Sequence, residues 1–348
     1  GHSLTENSPV QHLTVTGTVQ SNVVRTSKGV TSNDGTYFGV IFANAGYSSA
    51  KQITFKNVNI GADSKLSGSE YAGGIYACDQ WTHTGLNFYN CAVNSLTIEK
   101  ARWSGGFSGL LENSNVVTTV STENTDRNTI KGTVIKTRDT STGKPKENTD
   151  LQGIRYAGGL FGQVKNTLTV NGVEVTDSSI QPYSCGEENG ANASYAGGIV
   201  GKAEKNVTVT DASISKFVSL CNGYAGGIAG GNSSGGLNVS NVSVADSKLV
   251  TKRTAGGAGA LSGYINTYLN GFNVQSKNNL VGFLIEKKNC DTDASIVKEN
   301  DEIKLEKLSL ENVGVRYDSL SNTASKYYYT YNKINDMPKI VDTRIGIW

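Results

Sequence analysis

The side chains best suited to chemistry in this chain are few, and they do not assemble into a complete catalytic set. Cleaving a sugar chain by hydrolysis needs two or three carboxylates converging on one bond. Asn124-Thr125-Asp126 and Asn148-Thr149-Asp150 offer carboxylates, but both lie in one stretch rich in Thr, Lys, Asp and Asn. No Asp-Asp pair, Gly-His-Gly or Arg-Ile-Lys accompanies them. Asp79-Gln80-Trp81-Thr82-His83 brings an acid, an indole and an imidazole close in sequence. The acidic cluster and the arginine segment that would complete a calcium-assisted lyase are missing. His-Glu-x-x-His, the P-loop and the dinucleotide fingerprint are absent as well. The five cysteines, Cys78, Cys91, Cys185, Cys221 and Cys290, form no Cys-x-x-Cys pair. Zinc needs closely spaced thiolates or imidazoles, so no metal site is expected, nor any cofactor. Most of these thiols read as small buried apolar groups.

Composition narrows the classes further. The net charge is +2 with charges spread along the chain, which argues against an electrostatic nucleic-acid binder. No apolar run is long enough to cross a bilayer as a helix, so no membrane insertion by this chain is expected. Glycine is abundant, at 41 of 348 residues, without the every-third-residue period of collagen. The chain opens Gly1-His2-Ser3 with no Met, the look of a tag remnant, and reads as a piece cut from a longer protein.

The glycines belong to a repeat. Tyr71-Ala-Gly-Gly-Ile75, Trp103-Ser-Gly-Gly-Phe107, Tyr156-Ala-Gly-Gly-Leu160, Tyr195-Ala-Gly-Gly-Ile199 and Tyr224-Ala-Gly-Gly-Ile228 share one signature. Thr254-Ala-Gly-Gly-Ala258 is a weaker copy, and Tyr37-Phe38-Gly39-Val40 and Leu280-Val281-Gly282-Phe283 read as degenerate end copies. A second signature, apolar-x-Asn/Asp/Gly-x-x-apolar, interleaves with the first. Its copies begin at Phe55, Phe88, Leu111, Val170, Val209, Val239, Leu269 and Leu310, with Asn57, Asn90, Asn113, Gly172, Asp211, Asn241, Gly271 and Asn312 in the middle slot. Alternation of apolar and small polar residues around them is the pattern of a half-buried strand. Asn, Asp and Gly all tolerate positive φ, so the middle slot is predicted to be a bend between two short strands.

Short strands, a bend at a fixed place and a period near 30 residues predict an all-β fold, a right-handed parallel β-helix of about eight coils. Each coil would advance one strand spacing, roughly 4.8 Å. A propeller blade needs four strands, for which about 30 residues is tight, and the leucine ladder of a leucine-rich repeat is absent. The expected layout is an N-terminal cap or leader at 1–33, coils over 34–316, and a C-terminal cap or start of a next module at 317–348. The step from Asn113 to Gly172 is about twice the usual one, so residues 118–150 are expected to leave the rod as a mobile insert, with Ile130, Val134 and Ile135 in a small hairpin.

The run Tyr195-Ala-Gly-Gly-Ile-Val-Gly-Lys-Ala203 with Val207-Thr-Val-Thr-Asp-Ala-Ser-Ile214 resembles Gly-rich β-helix repeats of bacterial cell-surface proteins. These include GLUG-like repeats of adhesin-like proteins and of the non-catalytic parts of secreted IgA-specific proteases. The likeness spans about residues 35 to 315. It implies an extracellular, surface-attached binding domain rather than an enzyme, with a host glycoprotein, immunoglobulin or glycan as partner. The rival readings are a polysaccharide lyase or hydrolase built on a β-helix, or the non-catalytic β-helix part of a secreted protease. Binding is expected on loops leaving the scaffold. The candidates are Lys131, Lys136 and Arg138 in the insert, Tyr183, Glu187 and Glu188 in a second excursion, and Tyr328 in the tyrosine-rich tail. Of five Asn-x-Ser/Thr sequons, those at Asn206, Asn238 and Asn241 fall in or beside predicted strands, where a glycan would be awkward.

Overall fold

A computed structural model describes residues 10–15, 20–22, 37–44, 52–61, 63–67, 70–79, 85–99, 101–112, 116–120, 127–136, 155–182, 194–221, 223–251, 257–284, 302–311 and 314–318. These residues are all-β, with no helix among them, and every pairing between their strands is parallel. One rung of the chain shows the plan. Gly85–Tyr89 and Ala92–Asn94 lie in a long thirteen-stranded sheet, and Thr97–Glu99 joins a nine-stranded lateral sheet. Trp103–Gly105 then enters a seven-stranded sheet, and Ser108–Leu111 a six-stranded one. The next rung repeats the order with Val116–Val120, Asn128–Lys131, Val134–Lys136, Tyr156–Gly158 and Phe161–Val164. From Thr167 on, the two strands of the long sheet merge into single strands such as Thr167–Thr176 and Val207–Ser215. This succession is compatible with a parallel β-helix.

Alternation decides which side chains meet inside. Phe55, Phe88, Val170, Val209 and Val239 are buried, as their shared place in the signature predicts. Phe55 sits opposite Phe88, and Val170 opposite Val209 and then Val239. The Phe55 and Phe88 rings stack at 5.3 Å between centroids, and Phe88 also meets Phe107 at 5.1 Å. Ile, Val and Leu continue this interior from rung to rung, each buried aliphatic side chain contributing about 1.5–3 kcal/mol relative to exposure.

The bend slot is confirmed at Asn57, Asn90, Gly172, Asp211 and Asn241, all with φ between 50° and 69°. Asparagine suits a stacked left-handed bend because its amide can bond the next rung as well as tolerate the backbone. Asn90 donates to Asn57 at 3.3 Å, Asn241 to Asp211 at 2.9 Å, and Asn273 to Asn241 at 2.9 Å. A second left-handed row, not anticipated from the sequence, follows five residues later at Ser95, Asp177, Lys216, Asp246 and Asn278. Two bends per rung turn the chain from the long sheet into the lateral one.

Register corrects several degenerate copies. Phe88 pairs with Thr119 rather than meeting Leu111, which lies in the six-stranded sheet. Val239 pairs with Gly271, which moves the bend to Asn273. Leu310 pairs with Ser276 rather than Gly271, the partner of Leu305. Gly257-Ala258-Gly259 takes the place expected of Thr254-Ala-Gly. Leu280–Leu284 is a strand of the lateral sheet, not a glycine-signature copy. The reason is common to all of them. A rung must stack in register on its neighbours, and loops between strands absorb any difference in spacing.

The expected hairpin insert is also corrected. Asn128–Lys131 pairs parallel with Ala92–Asn94 and with the strand Thr167–Thr176, and Val134–Lys136 pairs with Thr97–Glu99 and Ser179–Gln181. Ile130 and Ile135 are fully buried between rungs. A hairpin cannot make these pairings, because its own strands would be antiparallel. Residues 137–154 lie outside the described residues. Near the start of the chain, within the segment expected as a cap or leader, Val10–Gln11, Thr14–Val15 and Gln20–Asn22 pair with the strands that follow.

The glycine signature marks a corner of a different kind. Where the strands Tyr195–Gly197 and Val200–Ala203 stack on the preceding rung, the seventh position of the motif has no room for a side chain. A Cβ on Gly201 would lie 2.5 Å from the carbonyl oxygen of Gly162 and 2.7 Å from the backbone nitrogen and oxygen of Ala157. The motif is thus longer than its first five positions, reading Tyr-Ala-Gly-Gly-apolar-x-Gly at 156–162, 195–201 and 224–230. Glycine stands at this position for closeness of backbones, since Gly201 is not among the positive-φ residues.

Candidate binding surface

The first residue of each glycine signature is half-exposed, except Tyr156, which is buried, and stacking the rungs turns these residues into a ladder. Tyr37, Tyr71, Trp103, Tyr156, Tyr195, Tyr224 and Tyr264 follow one another with ring centroids 4.8 to 5.9 Å apart. Six of the seven occupy the signature's first slot in register, through the pairings of Tyr37 with Tyr71, Tyr71 with Trp103, Trp103 with Tyr156, Tyr156 with Tyr195, and Tyr195 with Tyr224. Tyr264 comes from the loop after Gly257–Gly259, where Gly257 replaces the aromatic residue.

Polar groups flank the ladder. The Trp103 indole N–H donates to Gln163 Oε1 at 2.6 Å, and Gln163 Nε2 donates to Glu204 Oε1 at 2.7 Å. Lys202 lies 3.7 Å from Glu204 and 5.6 Å from the ring centroids of both Tyr156 and Tyr195. Arg102 covers Trp103 at 4.4 Å and reaches Glu70 at 3.6 Å. Further along the strip Lys165 pairs with Glu112, and Lys205 donates to Asn166 at 2.9 Å. Acids and bases alternate here with neither sign dominant. Such partly exposed pairs add little stability, about 0–1 kcal/mol each.

The chemistry of the strip follows from this geometry. Ring faces inside the ladder are covered by neighbouring rings, so they are closed to a flat ligand. Ring edges, phenol hydroxyls and charged heads remain. Burial, followed by the carboxylate of Glu70, pushes the Tyr71 phenol well above its ordinary pKa, and burial raises Tyr156 as well. Both stay protonated, as hydrogen-bond donors, across the physiological range. The buried thiols are kept neutral too. Burial moves Cys91 and Cys221 from 9.0 up to about 12, and Cys78 rises further in the same direction. A neutral, buried thiol is a poor nucleophile and a poor metal ligand.

Asp79, the acid of the sequence motif, is fully buried and accepts the backbone N–H of Glu112, which ties two rungs together. Trp81 and His83 lie outside the described residues, as do both Asn-Thr-Asp triplets. Gly231-Asn-Ser233-Ser-Gly235 has the Gly-x-Ser-x-Gly spacing of a hydrolase nucleophile elbow, which leads from a strand into a helix. Here the segment joins the strands Ala229–Asn232 and Leu237–Ala245. Asn232 holds the loop by accepting the N–H groups of Ser234 and Gly235. Among the described residues no three His, Cys, Asp or Glu side chains gather as a metal site.

Of the binding residues expected from sequence, two are described. Lys131 is exposed on the long sheet opposite Asn94 and Thr176, while Lys136 is half-buried on the lateral sheet opposite Glu99 and Gln181. They lie in different sheets, and both sit on strands rather than on an excursion. Arg138, Tyr183, Glu187, Glu188 and Tyr328 fall outside the described residues. The ladder was missed, although its signal was in view, since an aromatic residue opens five successive copies of the glycine signature. Compared with known proteins, the chain matches no family model, no curated protein and no solved structure.

Proposed function

We propose that the chain is a right-handed parallel β-helix that acts as a non-catalytic binding or adhesion domain at a bacterial cell surface. Its partner in this reading is a host glycoprotein, immunoglobulin or glycan. One observation carries the reading: an outward strip repeats an aromatic edge on rung after rung, flanked by charged and amide side chains, on a rigid stack of sheets. Such a strip is long, regular and preorganised, which suits an elongated partner. The resemblance of residues 195–214 to repeats of surface proteins supports the same reading.

The test is capture of ligands from host secretions, together with a glycan array, using the wild-type chain and an Arg102→Ala/Lys202→Ala variant. One ligand class should be retained by the wild type and lost by the variant at unchanged fold. Equal capture by both would remove the strip from the proposal. Depolymerisation of a polysaccharide by the wild type, abolished by Asp79→Ala without loss of folding, would replace binding with catalysis.

A further inference from the structure

The ladder sets phenols of successive rungs side by side, and this has a covalent consequence. We propose that Tyr195 and Tyr224 form a site of oxidative cross-linking, a dityrosine staple between adjacent rungs. The reaction needs a one-electron oxidant, here the ferryl haem of a peroxidase supplied with hydrogen peroxide. Each phenol gives up its O–H hydrogen and becomes a phenoxyl radical. The two radicals couple through ring carbons ortho to oxygen, forming one C–C bond. The hydrogens on those carbons move to the oxygens, and both rings regain aromaticity. One peroxide is reduced to two waters, and the protein loses two hydrogen atoms.

Register, spacing and exposure favour coupling here, and Tyr37 with Tyr71 shares all three at the same 5.0 Å, so the glycine against a coupling carbon of Tyr195 is what marks this pair out. The strands Tyr195–Gly197 and Tyr224–Gly226 pair in register with Tyr195 opposite Tyr224, so the rings are held together rather than meeting by diffusion. Their centroids are 5.0 Å apart, against 5.5 Å for Tyr156 and Tyr195, and both rings are half-exposed whereas Tyr156 is buried. Gly231 carries no side chain against Cε1 of Tyr195, one of the carbons at which coupling takes place. A Cβ there would sit 2.8 Å away. Trp103 interrupts the run of phenols higher in the ladder. The staple would close the loop between the two tyrosines, and cross-links of this kind restrict the unfolded chain much as a disulfide does. The inference stands on ladder geometry and is independent of the binding reading.

The experiment treats the full chain with a haem peroxidase and hydrogen peroxide. Dityrosine fluorescence is followed, and cross-linked peptides are mapped by tandem mass spectrometry in the monomer band of a denaturing gel. The expected product is an intrachain peptide pair joining Tyr195 to Tyr224, with a thermal unfolding midpoint raised by several degrees. Tyr195→Phe and Tyr224→Phe keep the ring and remove the hydroxyl, so each should abolish that peptide pair and the rise in midpoint. If a Phe variant fails to fold, the wild-type peptide map decides alone. Absence of dityrosine would overturn the proposal. So would cross-links mapping only between chains or within Tyr327 to Tyr331, or an unchanged Tyr195–Tyr224 product in a folded variant.

Discussion

The left-handed bends, two to a rung, and the glycine corner all turn the chain, yet they do so by opposite means. At the bends the backbone is left-handed, with Asn, Asp or Gly in the first row and Ser, Asp, Lys or Asn in the second. At the corner the constraint is space. Gly201 has backbone atoms of the preceding rung within 2.7 Å of where a Cβ would be, and its φ is not left-handed. A conformational demand can be met by several residue types at modest cost, whereas the steric demand in this column is met by Gly109, Gly162, Gly201 and Gly230 and, in the earlier rungs, by nothing larger than Ala43 and Ala77. The glycine pair recurs unchanged in five copies for the same steric reason, since a Cβ on Gly197 or Gly198 would lie 2.1 Å from the carbonyl oxygen of Val200 or Gly227 respectively, while the bend residues vary along the chain.

The sharpest way to break this contrast is to exchange the residues. Gly201→Asn should destabilise by about 3 kcal/mol or more, because backbone atoms of Gly162 and Ala157 must move to admit the side chain. Urea unfolding monitored by circular dichroism measures it. A loss under about 1 kcal/mol would show that the corner is looser than its distances indicate.

A second effect compares the interior near the two turns. Cys91 follows the Asn90 bend, and Cys221 lies beside Gly223 at the approach to the corner. Burial raises both thiols from 9.0 to about 12 in the folded chain. Between these values the unfolded chain has lost protons that the folded chain still holds, so stability falls as pH rises. The contribution is intact below about pH 9 and is lost by about pH 12. The slope is at most about 1.4 kcal/mol per pH unit for each thiol. A Cys91→Ala/Cys221→Ala variant should therefore show a flatter alkaline limb in unfolding experiments. A limb as steep as that of the wild type would mean that the thiols titrate normally.

At the bends the changes should be smaller. Asn241→Ala keeps φ at 54° without a side chain that favours it, and it removes the bonds to Asp211 and Asn273. A loss of about 1–2 kcal/mol is expected. Asn241→Gly should recover much of that loss, since glycine adopts this φ freely, and a Gly variant no better than Ala would assign the role to the amide ladder instead. The smallest effect belongs to Gly132→Asn. This glycine has φ 62°, and a Cβ there would make only an ordinary 3.4 Å contact with Ser95 Oγ. Its unfolding free energy should stay within about 0.5 kcal/mol of the wild type. A cost like that of Gly201→Asn would erase the distinction between the two kinds of turn.

The sequence by itself determined the repeat, the all-β class, the inward row from Phe55 to Val239 and the left-handed bend at Asn57, Asn90, Gly172, Asp211 and Asn241. Those features are local: a strand's alternation and a bend's φ preference are written in a few neighbouring residues. Tertiary structure decided the rest. It alone placed Thr119 rather than Leu111 against Phe88, moved the late bend from Gly271 to Asn273, and drew Ile130 and Ile135 from an expected hairpin into the core. It also made a ladder of aromatic residues separated by some 29 to 53 positions in the chain. Stacking of rungs is a long-range condition. Loops of different length let distant residues meet at one strand spacing, so the contacts that build the outer strip are set by register between rungs, which no local signature records.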